Sequence, residues 1–151
     1  MKGAGLLPKN GTPKIKNCTD GLSKTILYCE SAGRPYVFQG STQLAGDLNT
    51  THVNAGGWCR PASDFSLDGS SYDGKTFPGP CAVNCTNGEN FGTTFPHAFY
   101  GSEGSSEAYS FHSGGVNVAM GDGSAAFITD DITLRDFARK VTRSGGEQNT
   151  D

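Results

Sequence analysis

The chain has no apolar run near the roughly 18 residues of a membrane-spanning helix, which excludes such a helix from this stretch. Lys2 is followed by only a few apolar residues, too few for an export leader. No basic run is longer than two or three residues and the net charge is -3, so binding nucleic acid by neutralising phosphates is not expected. No Cys-x-x-Cys spacing is present, and with it the usual zinc signature is missing. No serine stands in a Gly-x-Ser-x-Gly elbow, so no nucleophile is announced by its frame. Hydrophobic residues are scarce, at 34%. The core must therefore be small.

What fills the space is turn chemistry. There are 22 glycines, and Ser, Thr, Asn and Asp are frequent, which means many turns and long loops. Well-distributed aromatics separate this composition from disorder. The length of 151 residues suits one domain with a buried core. Five cysteines in so loop-rich a chain favour an oxidising compartment, and the odd number leaves one unpaired or paired between chains. Cys81 and Cys85 are the first candidate disulfide by proximity, Cys18 and Cys29 the second, although sequence alone leaves the connectivity open. With no leader visible, the chain is expected to be either a mature or trimmed piece of an exported protein, or cytosolic.

Three regions can be distinguished. Residues 1–18 hold two prolines without periodicity and read as an extended arm. Residues 19–146 read as a single globular head, and 147–151 as a mobile tail. Within the head, a turn near Asp20 leads to a β-rich stretch from Thr25 to Ser31, with a short helix as the competing reading. Residues 39–106 are loop-rich, and their scattered aromatics, Trp58, Phe65, Phe77, Phe91, Phe95, Phe99 and Tyr100, are expected to pin loops to the core. Glu107–His112, Val116–Met120 and Ser124–Ile128 read as three strands of a meander, joined by Ser113-Gly114-Gly115 and by a turn at Asp122-Gly123. A two-residue turn there sets Val118 opposite Phe127 and Ala119 opposite Ala126. With a three-residue first loop, His112 faces Val116 and Phe111 faces Asn117, and Tyr109, Phe111, Ala119, Ala126 and Ile128 then share one face. Leu134, Phe137, Ala138 and Val141 follow helical spacing, behind a Thr133–Asp136 cap and before Gly145. The expected fold is α+β, an antiparallel meander packed on a C-terminal helix with long Gly-rich loops.

The chemistry offered by these residues is sparse. His112 and Asp122 invite an acid–base reading, but a strand of about five or six residues at about 3.3 Å each holds them roughly 17–20 Å apart. That is beyond the reach of a dyad. Cys59 with His52 or His97 could make a thiol nucleophile and base, without a supporting motif. Zinc would draw on Cys81, Cys85, His97 and His112. Calcium is the better metal candidate, because Asp64, Asp68 and Asp73 share one Gly/Ser loop, although their spacing is not that of an EF-hand. The same loop, with Trp58 and Tyr72, could form a glycan platform. Asn-x-Thr sequons at Asn10, Asn17, Asn49 and Asn84 read as chance products of an Asn/Thr-rich chain.

Several blocks, in order, resemble one family. They are Asp20-Gly21-Leu22-Ser23-Lys24-Thr25-Ile26-Leu27 with Glu30; Cys81-Ala82-Val83-Asn84-Cys85-Thr86-Asn87; Phe111-His112-x-Gly114-Gly115-x-Asn117-Val118; Asp122-Gly123-Ser124; and Arg143-Ser144-Gly145-Gly146-Glu147. Together they resemble the prepilin-type H-x(9)-D-G domain family (domain of unknown function 1559), type II pseudopilin-like proteins of planctomycete type. The resemblance implies a pilin-like head without its N-terminal helix. His112, Gly114, Gly115, Asn117, Asp122, Gly123 and Ser124 then form a structural signature, with no catalytic residue and no cofactor to carry over. It further implies an exported, non-enzymatic subunit of a surface or envelope filament or secretion-type assembly. Its partners would be further copies or other pilin-like subunits, and the membrane would be reached only through a helix outside this chain. An extracellular carbohydrate- or calcium-binding module is the alternative.

Overall fold

The computed structural model describes residues 4–8, 10–53, 64–90 and 106–146. After a single 3-10 turn at Ile15–Asn17, the elements are β1 (Ile26–Cys29), β2 (Phe38–Gln39), β3 (Thr42–Gln43), β4 (Gly115–Met120), β5 (Ala125–Thr129) and α1 (Leu134–Val141). β1, β4 and β5 form one antiparallel sheet in the order β1-β4-β5, while β2 and β3 form a small hairpin. With one C-terminal helix, the architecture is α+β.

Alternation sorts the sheet into two faces. Ile26, Val116, Val118, Met120 and Ile128 point inward and join Ala82, Val83, Ala108 and Phe137 in the core. The helix contributes Phe137, only 2% exposed, from its apolar stripe. Its start is fixed as the sequence suggests: Thr133 Oγ1 accepts the Asp136 N–H at 3.1 Å. Arg143 donates through Nη1 to the Gly5 carbonyl at 2.8 Å, so the N-terminal arm lies beside the helix end. Phe65 packs against the core, as a pinning aromatic should. Trp58, Cys59, Phe91, Phe95, His97, Phe99, Tyr100 and the 147–151 tail lie outside the described residues.

Two expectations about the sheet are corrected. The turn after β4 is not a two-residue loop. Gly123 N–H donates to the Met120 carbonyl and Met120 N–H to the Ser124 carbonyl, with Gly123 alone of the loop at positive φ, +88°. This is a type I turn closed by a glycine bulge. The mirror-image turn would need Asp122 at positive φ as well. The extra loop residue shifts the register by one, so Val118 faces Ala126 and Ala119 faces Ala125. A one-residue slip moves a side chain to the other face. Ala126 and Ile128 keep the core side, but Ala119 does not.

Nor is Glu107–His112 the first strand of the meander. That edge of β4 is taken by β1. Residues 106–109 instead make single bridges, parallel to Ser31, Phe65 and Val83 and antiparallel to Gly88. Ser106 to Ser110 are all buried. A segment covered on both faces suits parallel pairing inside the domain rather than a half-exposed antiparallel strand.

Candidate functional site

The signature block turns a corner between the buried 106–110 segment and β4. The corner is built from the disulfide loop. Cys81 and Cys85 are joined, and between them Asn84 adopts positive φ, +62°, which asparagine tolerates better than most residues. From there its side chain reaches across the corner. Oδ1 accepts the Ser110 N–H at 2.8 Å, and Nδ2 donates to the Gly115 carbonyl at 3.1 Å. Ser110 Oγ donates to the same carbonyl at 2.6 Å and accepts the His112 N–H at 3.1 Å. Gly114 turns the chain at φ +83°. Gly115 has no room for a side chain: a Cβ would stand 2.1 Å from the Ile128 carbonyl oxygen and 2.8 Å from the Phe127 ring.

His112 stands on this corner and meets the end of β1. Its Nε2 lies 3.4 Å from Glu30 Oε1. Glu30 Oε2 also accepts the Asn117 N–H at 2.7 Å, and Asn117 Nδ2 donates to both carboxylate oxygens. Burial works to raise the Glu30 carboxyl, but the Asn117 bonds and His112 outweigh it and hold it below the ordinary range. The group is a shallow, exposed polar cluster rather than an enclosed one. Phe127, opposite Asn117 in the ladder, is 48% exposed, Tyr28, two residues before Glu30, 63%, and Phe111, next to His112, 65%. Phe111 stacks edge-on against Phe38 and Tyr109, with ring centroids 5.1 and 5.7 Å away.

Asp122 is at the opposite end of β4 and serves its own turn, accepting Ser124 N–H at 2.9 Å and Ser124 Oγ–H at 2.7 Å. Gly123 supplies the bulge and Ser124 the donors. The blocks nearest the two ends of the chain also meet: Asp20 accepts the Gly145 and Gly146 N–H groups, at 2.6 and 3.2 Å.

Other candidates are dispersed. Asp64, Asp68 and Asp73 do not gather into one carboxylate cluster. Asp73 is bound to Ser71 and Lys75, Asp68 faces Ser66 and Glu107, and no group of three metal-type side chains gathers among the described residues. The second proposed disulfide is absent as well. Cys18 and Cys29 are free, their thiols donating to Thr25 Oγ1 and to the Glu30 carbonyl. Burial first, then the neighbouring Glu30 charge, pushes the Cys29 thiol up to about 12. Cys81 and Cys85, being bonded, are unavailable to zinc. Tyr72 is exposed, at 78%.

One buried acid was not anticipated. Glu107 is 5% exposed, and burial together with the adjoining Asp68 carboxylate raises its carboxyl to about 10. It therefore keeps its proton at neutral pH. In the sequence it is one acid among many, with no motif to mark its burial. Asn84 carried a signal of a different kind, as the polar residue inside a short cysteine-bounded loop.

Motifs far apart in the chain thus converge on hydrogen-bonded corners of a small α+β fold. The chain belongs to the family described as Protein of unknown function (DUF1559), whose profile matches residues 1–135. No curated protein and no solved structure matches it. Among the described residues no helix is long and apolar enough to cross a membrane.

Proposed function

We propose that this domain is the head of an exported, pseudopilin-like structural subunit, which packs with further copies or with other pilin-like subunits in a surface or envelope assembly. The observation that carries the reading is where the signature residues spend their polar groups. Asn84 and Ser110 bond each other and the Gly115 carbonyl, Asn117 and His112 are spent on Glu30, and Asp122 is spent on Ser124 of its own turn. Such residues shape a scaffold. The Cys81–Cys85 disulfide supports an oxidising compartment outside the cytosol. The test is to follow the protein in its own cells by immunodetection after mechanical shearing. Release into the sheared surface fraction, and retention of a longer form when prepilin processing is disabled, are the expected results. A soluble cytosolic protein indifferent to both treatments would contradict the reading.

A second reading, an extracellular carbohydrate-binding module, is favoured by the exposure of Phe127, opposite Asn117, and of Tyr28 and Phe111, near Glu30 and His112 in sequence. Aromatic faces beside hydrogen-bonding groups suit sugar rings. A glycan array with signal lost in Phe111→Ala would favour it, and a blank array would remove it.

A further inference from the structure

Among the described residues β5 is an open edge of the sheet, and its chemistry is selective. Met120 N–H donates to the Ser124 carbonyl at 2.8 Å, and Asp130 N–H to the Gly114 carbonyl at 3.0 Å. Because bonded pairs alternate along an antiparallel ladder, Ala126 and Ile128 bond inward to β4, and Ala125, Phe127 and Thr129 aim their N–H and C=O groups outward. Of these outward groups only the Thr129 carbonyl has a partner among the described residues, the Ile132 N–H at 3.3 Å. The opposite edge of the sheet is different. There Tyr109 donates to the Glu30 carbonyl and accepts from the Ala32 N–H, covering the end of β1.

Edge strands are ordinarily guarded by a lysine, a proline or a bulge. β5 reads Ala-Ala-Phe-Ile-Thr and has none of these. Both of its ends are acidic instead, with exposed Asp122 before it and exposed Asp130 and Asp131 after it. A second β5 is a poor partner: antiparallel pairing about Phe127 would bring Asp122 of one copy within two positions of Asp130 and Asp131 of the other. A strand with basic ends answers the same charges favourably.

We propose that the β5 edge takes up an extended peptide strand of uncharged, β-branched residues with basic residues at both ends. The strand adds to the sheet antiparallel to β5, exchanging backbone hydrogen bonds with Ala125, Phe127 and Thr129 and laying alternate side chains against Phe127. This inference does not rest on the subunit reading above.

The test uses the whole chain and two synthetic peptides with the same alternating Val–Thr centre, one ended by lysine pairs and one by glutamate pairs. Amide NMR should show the lysine-ended peptide slowing exchange at Ala125 and Phe127, with the glutamate-ended peptide at least ~10-fold weaker at low salt. Ala125→Pro removes an outward N–H that β4 does not use, so the sheet should persist while binding weakens ~10-fold. Should that variant fail to fold, the comparison of the two peptides on the unaltered chain carries the test alone. Unchanged exchange at Ala125 and Phe127, or equal binding of both peptides, overturns the proposal. Protection that grows with the concentration of the chain itself overturns it too, since the edge would then belong to a second copy.

Discussion

Replacing Asn84 by alanine should cost this domain far more than its place in a surface loop suggests. Two terms can be worked out. Ser110 is 6% exposed, and its N–H loses its acceptor, the Asn84 Oδ1 at 2.8 Å. A buried donor left without a partner costs about 1–3 kcal/mol. Alanine must also hold the left-handed backbone at φ +62°, which costs a residue with a Cβ about 1–2 kcal/mol and asparagine less. The bond from Nδ2 adds little, because the Gly115 carbonyl keeps Ser110 Oγ at 2.6 Å. The sum is at most about 2–5 kcal/mol, a large share of the stability of a small domain. Urea unfolding should show it as a lower midpoint with an unchanged slope. Asn84→Gly removes the backbone strain but not the orphaned donor, so its loss should fall near the hydrogen-bond term alone. An alanine variant within ~0.5 kcal/mol of the parent would refute the reasoning, because neither term could then be present.

The other predictions concern single groups. His112→Ala should cost at most ~1 kcal/mol in the same assay, since the His112–Glu30 pair is exposed and screened; a loss equal to that of Asn84→Ala would contradict this. Glu107 is protonated in the folded chain up to about pH 10, whereas its unfolded value is the ordinary 4.5. Between those values the folded state binds the extra proton, so stability falls as pH rises from about 4.5 towards about 10. Glu107→Gln should flatten that slope and stabilise the chain at pH 8 in thermal melts; a parent chain that gains stability over the window would refute it. Cys29, with its thiol near 12, should resist alkylation at pH 8 until the chain unfolds, and rapid labelling of the native protein would count against its burial. Breaking the Cys81–Cys85 bond should cost about 2 kcal/mol, the loop-closure value for so short a ring, measured by urea unfolding with and without reductant.

The residues announced the elements better than they announced the pairing. The helix was legible because Leu134, Phe137, Ala138 and Val141 repeat at helical spacing behind a capping threonine, all within a few residues of one another. The β1 stretch and the β4–β5 hairpin were legible for the same reason. The register was not, because one glycine bulge separates two turn types that the same Asp-Gly pair can serve. The partner of β4 on its other side comes from β1, far away in the chain, and no local pattern distinguishes that pairing from the sequential one. At the candidate site, strand length alone kept His112 apart from Asp122. It could not supply Glu30 as the histidine's partner, nor show that Asn84, which reads as a chance sequon, holds the corner. Glu107 was invisible, since burial of an acid depends on what the fold stacks around it.

The central claim is that the signature corner is held from the disulfide loop through Asn84. Amide exchange at Ser110, measured with the Cys81–Cys85 bond intact and then reduced, tests it most directly. Reduction is predicted to speed exchange at Ser110 by at least ~10-fold while Val118, inside the sheet, stays protected. Equal exchange at Ser110 in both forms would contradict the claim, because the corner would then stand without the loop that is argued to hold it.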